Sequence, residues 1–374
     1  MASVVIAAGG TGGHIYPAMA VAAELAVMSP DSSVVFFGTA SGMESRVVPA
    51  GGWAFKPVKA HPWRRARPWT LVTAMIGAVS GAITASRLLR RCGAGVVFST
   101  GGYASSPVLL AAAVMGIPIV LHEPNAQPGV VTRIFGRLAA RVTVVSEEAG
   151  SKFPPSRTEV TGVPIRRSLF STGREEARKK MNQGGKFTLL VLGGSQGAGA
   201  INSALESALP LFAGLHDRLS IIWVSGRRDF ERIKVVAESA PVSVAPYSYI
   251  DDIGMVLSAS DAVVGRAGAS ATAELLGAGL PSLLVPYPFA AADHQRRNAE
   301  AIERAGAAKV LPEASLTGEL LAREILALVG DPAKVSAMAG CARANGKPDA
   351  ARTVARIVLD QLADDKGKQG AARC

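Results

Sequence analysis

The sequence is poor in aromatic residues and in cysteine. Aromatic side chains make up only 5% of the 374 residues, so the core must be built mainly from Ala, Val, Leu and Gly, which is typical of α/β proteins with buried parallel strands. Cys92, Cys341 and Cys374 are widely spaced and form no metal-ligand or redox motif, which indicates a reducing, cytoplasmic compartment. The first residues lack the basic segment of a signal peptide and predict a strand instead.

Acidic residues are absent between Glu44 and Glu123, and the chain carries a formal net charge of +11. A run of one charge sign over this length favours a functional patch over a merely solvated face. The partner would be anionic, and the charge alone leaves nucleic acid, membrane and phosphorylated substrate open. The basic residues of this stretch are Arg46, Lys56, Lys59, Arg64, Arg65, Arg67, Arg87, Arg90 and Arg91.

A charge-free segment from Trp69 to Ser86 approaches the length of a membrane span. Hydroxyl residues and glycines interrupt it, and arginines flank it on both sides, which gives no inside–outside asymmetry. A buried or membrane-grazing helix is therefore favoured over a span.

A short apolar strand followed by a glycine turn and a helix recurs along the chain. This alternation predicts parallel, doubly wound sheets, and the near-copy of the first turn in the third indicates two Rossmann-like domains. We predict an N-terminal domain over 1–164, joined by a C-terminal helix at about 348–363, a second domain over 165–347, and a flexible tail over 364–374. The turns follow Val4–Ala8, Gly95–Phe98, Phe187–Leu192 and Asp261–Val264.

The first turn, Gly9-Gly10-Thr11-Gly12-Gly13-His14, has the composition of an anion-binding turn. Glycine allows close approach of the backbone, and free N–H groups at a helix start point at the anion, although a tight crossover without ligand is an equal alternative. A dinucleotide fingerprint is excluded because its third glycine position is Ile15 and the second strand, Val34–Phe37, ends without an acid. No P-loop motif is present.

A second turn, Gly265 to Glu274, also leads from glycines and hydroxyls into a helix. Glu274 can accept hydrogen bonds from the two hydroxyls of a ribose, or it can simply complement the helix dipole. The segment Asp293 to Asn298 offers amides suited to sugar hydroxyls, while Asp293 is also a candidate helix cap.

Read together, these motifs resemble the bacterial peptidoglycan N-acetylglucosaminyltransferases, the MurG family, over Val4 to Ala363. The joint order of the motifs carries the resemblance. They are Gly9 to His14, Gly101-Gly102-Tyr103, His122-Glu123-x-Asn125, Pro164-x-Arg166, Gly193 to Gly197, Ile250-Asp251-Asp252, Arg266-x-Gly268-Ala269 through Glu274, and Asp293-His294-Gln295-x-x-Asn298.

The resemblance implies a GT-B fold, with two Rossmann-like doubly wound domains facing across a cleft. It implies transfer of GlcNAc from UDP-GlcNAc to the C4 hydroxyl of undecaprenyl-diphospho-MurNAc-pentapeptide (lipid I to lipid II), without cofactor or metal, at the cytoplasmic face of the cell membrane. Ile250 would meet the uracil, Glu274 the ribose, and Gln295 and Asn125 the GlcNAc. The implied substrate-binding residues are Thr11, Gly12, Gly13, Asn125, Arg166, Ser195, Gln196, Ile250, Ala269, Ser270, Ala271, Thr272, Ala273, Glu274 and Gln295.

Two residues compete for the role of catalytic base in this reaction. His14 follows the glycine turn, where the end of a helix dipole favours the neutral imidazole, and Glu123 is the alternative. Both also have a purely structural interpretation as loop-bonding groups. Arg166 and the helix starts at the two glycine turns would stabilise the charge that grows on the diphosphate.

Three positions depart from the family pattern: Pro124 replaces Gln, Val163 replaces Asn and Thr132 replaces Asn. They affect the acceptor side and leave the donor motifs intact. An anionic membrane surface is a further expected partner, through Trp63, Trp69, Leu71, Met75 and Ile76 beside Arg64, Arg65 and Arg67. A UDP-GlcNAc 2-epimerase is the nearest rival, and a nucleic-acid-binding protein has only the charge in its favour.

Overall fold

The computed structural model describes residues 3–61, 70–193, 198–290 and 293–371, with side chains of 70–74 and 365–371 outside that description. The chain forms two compact units. One comprises Met1–Arg166 with Pro348–Cys374, and the other comprises Arg167–Lys347.

The first unit is built on a parallel sheet with the strand order β3-β2-β1-β4-β5-β6-β7. Its central strand β1 is buried along its whole length, as its continuous apolar run predicts for a strand covered on both faces. The strands of this unit are β1 Ser3–Ala8, β2 Val34–Gly38, β3 Ala54–Pro57, β4 Ala94–Gly101, β5 Ile119–Glu123, β6 Arg141–Val144 and β7 Thr158–Val160. Its helices up to the second unit are α1 Gly12–Met28, α2 Glu44–Ala50, α3 Thr70–Arg91, α4 Ser106–Val114, α5 Val130–Phe135 and α6 Glu147–Gly150.

The second unit repeats the arrangement, with the order β10-β9-β8-β11-β12-β13. In both sheets the first strand of the unit lies between the second and the fourth, which confirms two Rossmann-like domains. The strands are β8 Phe187–Leu192, β9 Leu219–Val224, β10 Ser243–Tyr247, β11 Ala262–Gly265, β12 Ser282–Leu284 and β13 Ala308–Val310. The helices are α7 Arg174–Lys180, α8 Gly199–Ala208, α9 Phe230–Glu238, α10 Ile253–Ala259, α11 Ala269–Gly277, α12 His294–Arg304, α13 Gly318–Val329 and α14 Pro332–Asn345.

The chain returns to the first unit through α15 (Ala350–Ala371). Val354, Val358 and Leu362 pack into the core formed by α1 and one face of the sheet. The helix continues to Ala371, past the end predicted near Ala363. The flexible tail predicted over 364–374 therefore overlaps the end of α15, and its flexibility stays a prediction.

The charge-free stretch of the sequence forms most of α3, which has two different faces. Gly77, Gly81 and Ala85 are buried, and a side chain at Gly81 would meet Pro107 at the start of α4 at 3.0 Å. The opposite face exposes four apolar side chains: Met75, Ile76, Val79 and Ile83.

Within the described ranges, no single helix is both long and apolar enough to cross a membrane. Among the described helices, one pair, Gly318–Val329 and Pro332–Asp364, is long and apolar enough when its two parts are taken together, and this pair is bent by 93°.

Candidate active site

The first candidate site lies at the carboxyl edge of the seven-stranded sheet, where β1 and β4 are neighbours. The chain leaves β1 toward one side of the sheet and β4 toward the other, so this is the switch point at which doubly wound sheets bind ligands. The turns that follow these two strands are Gly9 to His14 and Gly101 to Tyr103.

The turn after β1 places His14 in the first turn of α1. Gly10 adopts a φ of +91°, which favours glycine, and Thr11 takes the extended N-cap conformation before the helix begins at Gly12. The Thr11 hydroxyl lies 3.0 Å from His14 Nδ1, and the Thr100 hydroxyl donates to the His14 carbonyl oxygen at 2.7 Å. The imidazole and the backbone of His14 are thus both fixed by neighbouring hydroxyl groups.

Two consecutive glycines after β4 let this turn pack against the first one. Gly101 and Gly102 have φ values of +84° and +85°, and a side chain on Gly102 would collide with the Gly9 carbonyl oxygen. A Cβ on Gly101 would lie 3.8 Å from His14 Cδ2 and 2.9 Å from Thr132 Cγ2. Gly101 therefore brings the His14 ring and the loop after β5 to the same place.

Glu123, at the end of β5, organises that loop. Its Oε1 accepts from the Asn125 backbone N–H at 3.0 Å and from Asn125 Nδ2 at 3.1 Å. Its Oε2 accepts from the Gly129 N–H at 2.9 Å and from the Thr132 hydroxyl. Burial raises the pKa of Glu123, and the hydrogen bonds from Thr132, Gly129 and Asn125 oppose that rise. Because each of its oxygens accepts two hydrogen bonds, Glu123 fixes the loop. Its use as a base stays a prediction.

His122 is the fully buried neighbour of Glu123 and faces the β6 side. Its Nδ1 lies 2.9 Å from the Thr143 hydroxyl, which itself donates to the Leu121 carbonyl oxygen at 3.3 Å. We therefore assign the proton to Nδ1, because the hydroxyl can then accept from His122 while it donates to Leu121. No described residue hydrogen-bonds to the buried Nε2. Burial, with a smaller contribution from His14, lowers the pKa of His122 to about 3.

The family departures fall at positions where the local structure accommodates them. Thr132 is buried, and its hydroxyl supplies the donor to Glu123. Pro124 and Val163 are also buried. Arg166, the last residue of the first unit before the second begins, is exposed.

The second candidate site lies at the carboxyl edge of the six-stranded sheet, after β8 and β11. The residues predicted to bind there, Ala269 to Glu274, occupy the first six positions of α11, which begins after Gly268 in extended conformation. Glu274 is the sixth residue and lies beyond the first turn, where the helix dipole acts, so dipole complementation does not explain it. Ser270 Oγ is buried, and no described residue hydrogen-bonds to it.

The start of α12 is tied to the loop after β12 and to the turn after β11. Gln295 Oε1 accepts from the Tyr287 N–H at 3.0 Å, and Asn298 Nδ2 donates to the Ala267 carbonyl oxygen at 3.3 Å. Asp293 adopts a left-handed φ of +55°, and its carboxylate accepts from Arg296 Nε at 2.6 Å. Among the described residues, Asp293 makes no helix-cap hydrogen bond, so the capping interpretation is wrong.

Arg266 joins three strand ends beneath this site. Its guanidinium donates to the Val285 carbonyl at 3.2 Å, pairs with Glu313 at 2.5 Å and lies 5.4 Å from the centre of the Tyr287 ring. Arg266 therefore anchors the Pro-rich loop that contains Tyr287, the hydrogen-bond partner of Gln295.

The remaining donor-side predictions differ in what the structure says of them. Ile250 is half-buried and packs on the apolar cluster that contains Ala267 and Leu275, so it lies on the side of the sheet from which α11 starts. Ser195 and Gln196 lie outside the described residues.

Sequence reasoning missed Glu44, whose carboxylate hydrogen-bonds to the first glycine turn, and gave no role to His122. Glu44 stands alone before the acid-free stretch, and no motif spacing connects it to Gly10. A lone acid at a helix start was the only available signal.

Both halves of the chain match glycosyltransferase family 28. Its N-terminal domain matches residues 4–144 and its C-terminal domain matches residues 188–354. The two parallel sheets and these matches define a GT-B glycosyltransferase. The crystal structure of Acinetobacter baumannii MurG superposes with a TM-score of 0.77 at 28% identity, covering 96% of this chain and 100% of that one. The UDP-GlcNAc 2-epimerase from Neisseria meningitidis has a TM-score of 0.65 at 15% identity, which shows only a shared fold; it covers 96% of this chain and 100% of that one.

Curated relatives match at higher identity. A protein of Moorella thermoacetica named UDP-N-acetylglucosamine–N-acetylmuramyl-(pentapeptide) pyrophosphoryl-undecaprenol N-acetylglucosamine transferase is 39% identical, over 95% of this chain and 98% of its own length. Proteins of the same name from Desulforudis audaxviator (38%) and Geobacter sp. (37%) cover 95% and 98% of this chain, and 97% and 98% of their own. The chain belongs to this family of transferases, the MurG family.

Proposed function

We propose that the protein transfers GlcNAc from UDP-GlcNAc to the C4 hydroxyl of MurNAc in undecaprenyl-diphospho-MurNAc-pentapeptide, with inversion at the anomeric carbon. The observation that carries this proposal is the match along nearly the whole chain to relatives named for this transfer. The reaction converts lipid I to lipid II in peptidoglycan synthesis.

The transfer needs a group that takes the proton of the attacking hydroxyl. We assign this role to His14, because its ring lies beside Gly101 at the switch point of the sheet, and the Thr11 hydroxyl lies close enough to its Nδ1 to fix it. Glu123 is less suited, since both of its oxygens already accept hydrogen bonds from the loop that it holds.

The transfer also needs stabilisation of the charge that grows on the departing diphosphate. The first N–H groups of α11 have no acceptor within the helix, so they can donate to an anion. Arg166, which is exposed, is the cation that the family resemblance implies for this role. In this proposal the second unit holds UDP-GlcNAc, with the Glu274 carboxylate accepting from the ribose hydroxyls and Gln295 contacting the sugar. The Gln295 amide oxygen is occupied by the Tyr287 N–H, which leaves its NH₂ group to donate.

We further propose that the protein sits peripherally on the cytoplasmic face of the cell membrane through α3. Met75, Ile76, Val79 and Ile83 expose between 55% and 63% of their surfaces on one helix face. Arg87, Arg90 and Arg91 follow on the same helix, within the acid-free stretch. Apolar side chains beside cations fit an anionic lipid surface. Trp63, Trp69, Arg64, Arg65 and Arg67 lie outside the described residues, as does the side chain of Leu71.

Vesicle co-sedimentation tests the membrane proposal. Ile76→Glu should weaken binding to anionic vesicles, while Val235→Glu, which changes a similarly exposed apolar residue (66%) of the second unit, should leave it intact. Equal affinity for neutral and anionic vesicles, insensitive to salt, would refute the proposal.

A transfer assay tests the reaction. The protein is incubated with labelled UDP-GlcNAc, with and without a lipid-linked MurNAc acceptor, and the label should move to the lipid only when the acceptor is present. Formation of UDP-ManNAc without acceptor would instead identify an epimerase, and no reaction in either arm would contradict the proposal.

A further inference from the structure

Glu44 is a fully buried carboxylate beneath the first glycine turn. It is the first residue of α2 and has no solvent-exposed surface. Burial of an ionised carboxylate is costly unless its oxygens accept hydrogen bonds, so its position requires a compensating structure.

Three hydrogen bonds provide that compensation and connect two strand ends. Oε1 accepts from the Thr39 N–H at 2.9 Å and from the Thr39 hydroxyl at 2.6 Å. Oε2 accepts from the Gly10 N–H at 3.1 Å. Thr39 follows β2 and Gly10 follows β1, so the carboxylate ties together the loops after two neighbouring strands.

Glycines make room for this carboxylate. A Cβ on Gly9 would lie 2.5 Å from Glu44 Oε1, a Cβ on Gly38 would lie 2.6 Å from its Cγ, and a Cβ on Gly42 would also collide with the carboxylate. Gly9, Gly38 and Gly42 therefore lack side chains at the positions where a Cβ would collide with Glu44.

The hydrogen bond to Gly10 changes which groups of the turn can bind an anion. Because the Gly10 N–H is directed down to Glu44, it is withdrawn from any ligand above the turn. The N–H groups that remain are those at the start of α1, next to His14. The same bond holds Gly10 at its φ of +91°, from which the chain enters the helix.

We propose that Glu44 is a positioning residue for the transfer reaction, and that it acts by fixing the glycine turn through the Gly10 N–H. The turn in turn fixes the His14 ring and the first N–H groups of α1. This inference rests on the proposed function, in which His14 acts on the acceptor hydroxyl, and Glu44 itself touches neither substrate.

Glu44→Gln is the sharpest test because it preserves shape. The glutamine amide has only one oxygen, so it can accept a hydrogen bond from either Thr39 or Gly10 but not from both. Its NH₂ group then faces the N–H of the remaining residue, and two donors cannot form a hydrogen bond. Val48→Ala is the matched control, since Val48 is fully buried on the same helix and its truncation destabilises the unit without touching the turn. Glu44→Asp, which withdraws the carboxylate but keeps its charge, is the second variant if the glutamine variant folds poorly.

Two measurements are made on each full-length variant. Hydrogen exchange reports the protection of the Gly10 amide, and steady-state kinetics separates kcat from the KM for UDP-GlcNAc. In Glu44→Gln we expect faster exchange at Gly10 and a fall in kcat of about 10- to 100-fold, with the donor KM within about twofold of wild type. Val48→Ala should lower stability and leave both the exchange and kcat near wild type.

Unchanged protection of Gly10 in the glutamine variant would overturn the proposal, and so would a normal kcat despite a loosened turn. An equal loss of kcat in Val48→Ala would overturn it as well, because the effect would then follow from stability alone. A failure of the proposed function is distinguishable, since wild type would then transfer no sugar while the amide exchange would still report whether Glu44 fixes the turn.

Discussion

The buried His122 makes the stability of the first unit dependent on pH in a defined direction. In the folded protein its pKa is lowered to about 3 by burial and by His14, whereas an unfolded histidine titrates near its ordinary value of 6.5. Above pH 6.5 both states are neutral at this residue, and its stabilising neutral form is fully present. As the pH falls below that value, the unfolded chain takes up a proton that the folded protein refuses, so stability is lost progressively until about pH 3.

The magnitude follows from the distance between the two pKa values. Each pKa unit corresponds to about 1.4 kcal/mol, so a fall from neutrality to about pH 4.5 crosses two units below the unfolded value and should cost roughly 3 kcal/mol. The raised pKa of Glu123 contributes in the opposite direction, because protonation relieves its burial cost as the pH falls. Wild type and a variant changed only at His122 both keep Glu123, so its contribution cancels when their pH dependences are compared.

The assay compares wild type with His122→Asn, which retains a donor toward Thr143 and removes the titrating ring. Urea unfolding is measured at about pH 7.5 and about pH 4.5. Hydrogen exchange of peptides from β1 and β4 is used as the readout, so that the free energy belongs to the first unit. Wild type should lose roughly 3 kcal/mol more than the variant over this interval, whatever the cost of the substitution at neutral pH. Equal pH dependence in the two proteins would refute the assignment of a neutral, buried imidazole.

Three further changes test the two sites. His14→Ala should lower turnover by about 10²- to 10⁴-fold while UDP binding survives, and near-normal turnover would exclude His14 as the base. Glu274→Gln should weaken UDP-GlcNAc binding by roughly 1.5–3 kcal/mol in calorimetry through loss of a charged acceptor; unchanged affinity would remove it from the ribose site. Gly102→Ala should destabilise the first unit by about 1–3 kcal/mol more than Gly116→Ala, because both have positive φ but only Gly102 faces a carbonyl oxygen at its Cβ position; equal losses would contradict this packing.

The order of strands, turns and helices was predictable from the sequence because it depends on local patterns. Phe187–Leu192 was predicted as a strand and forms β8 with the same limits. The near-identical turns at Gly9 and Gly193 correctly indicated two domains of one kind, and the sheets share one strand order. Continuous apolar runs and glycine turns carry this information because buried parallel strands and tight crossovers impose those residue types whatever the rest of the chain does.

The connections within each site depend on contacts between distant residues, and these only the tertiary structure decided. The link from Glu44 to Gly10 spans 34 positions and the link from Thr100 to His14 spans 86. No periodicity or spacing encodes which donor a buried carboxylate will meet, because that follows from how sheet neighbours bring loop ends together. The sequence alone named Glu123 as a candidate base, but only the folded chain revealed the four hydrogen bonds with which it holds its loop.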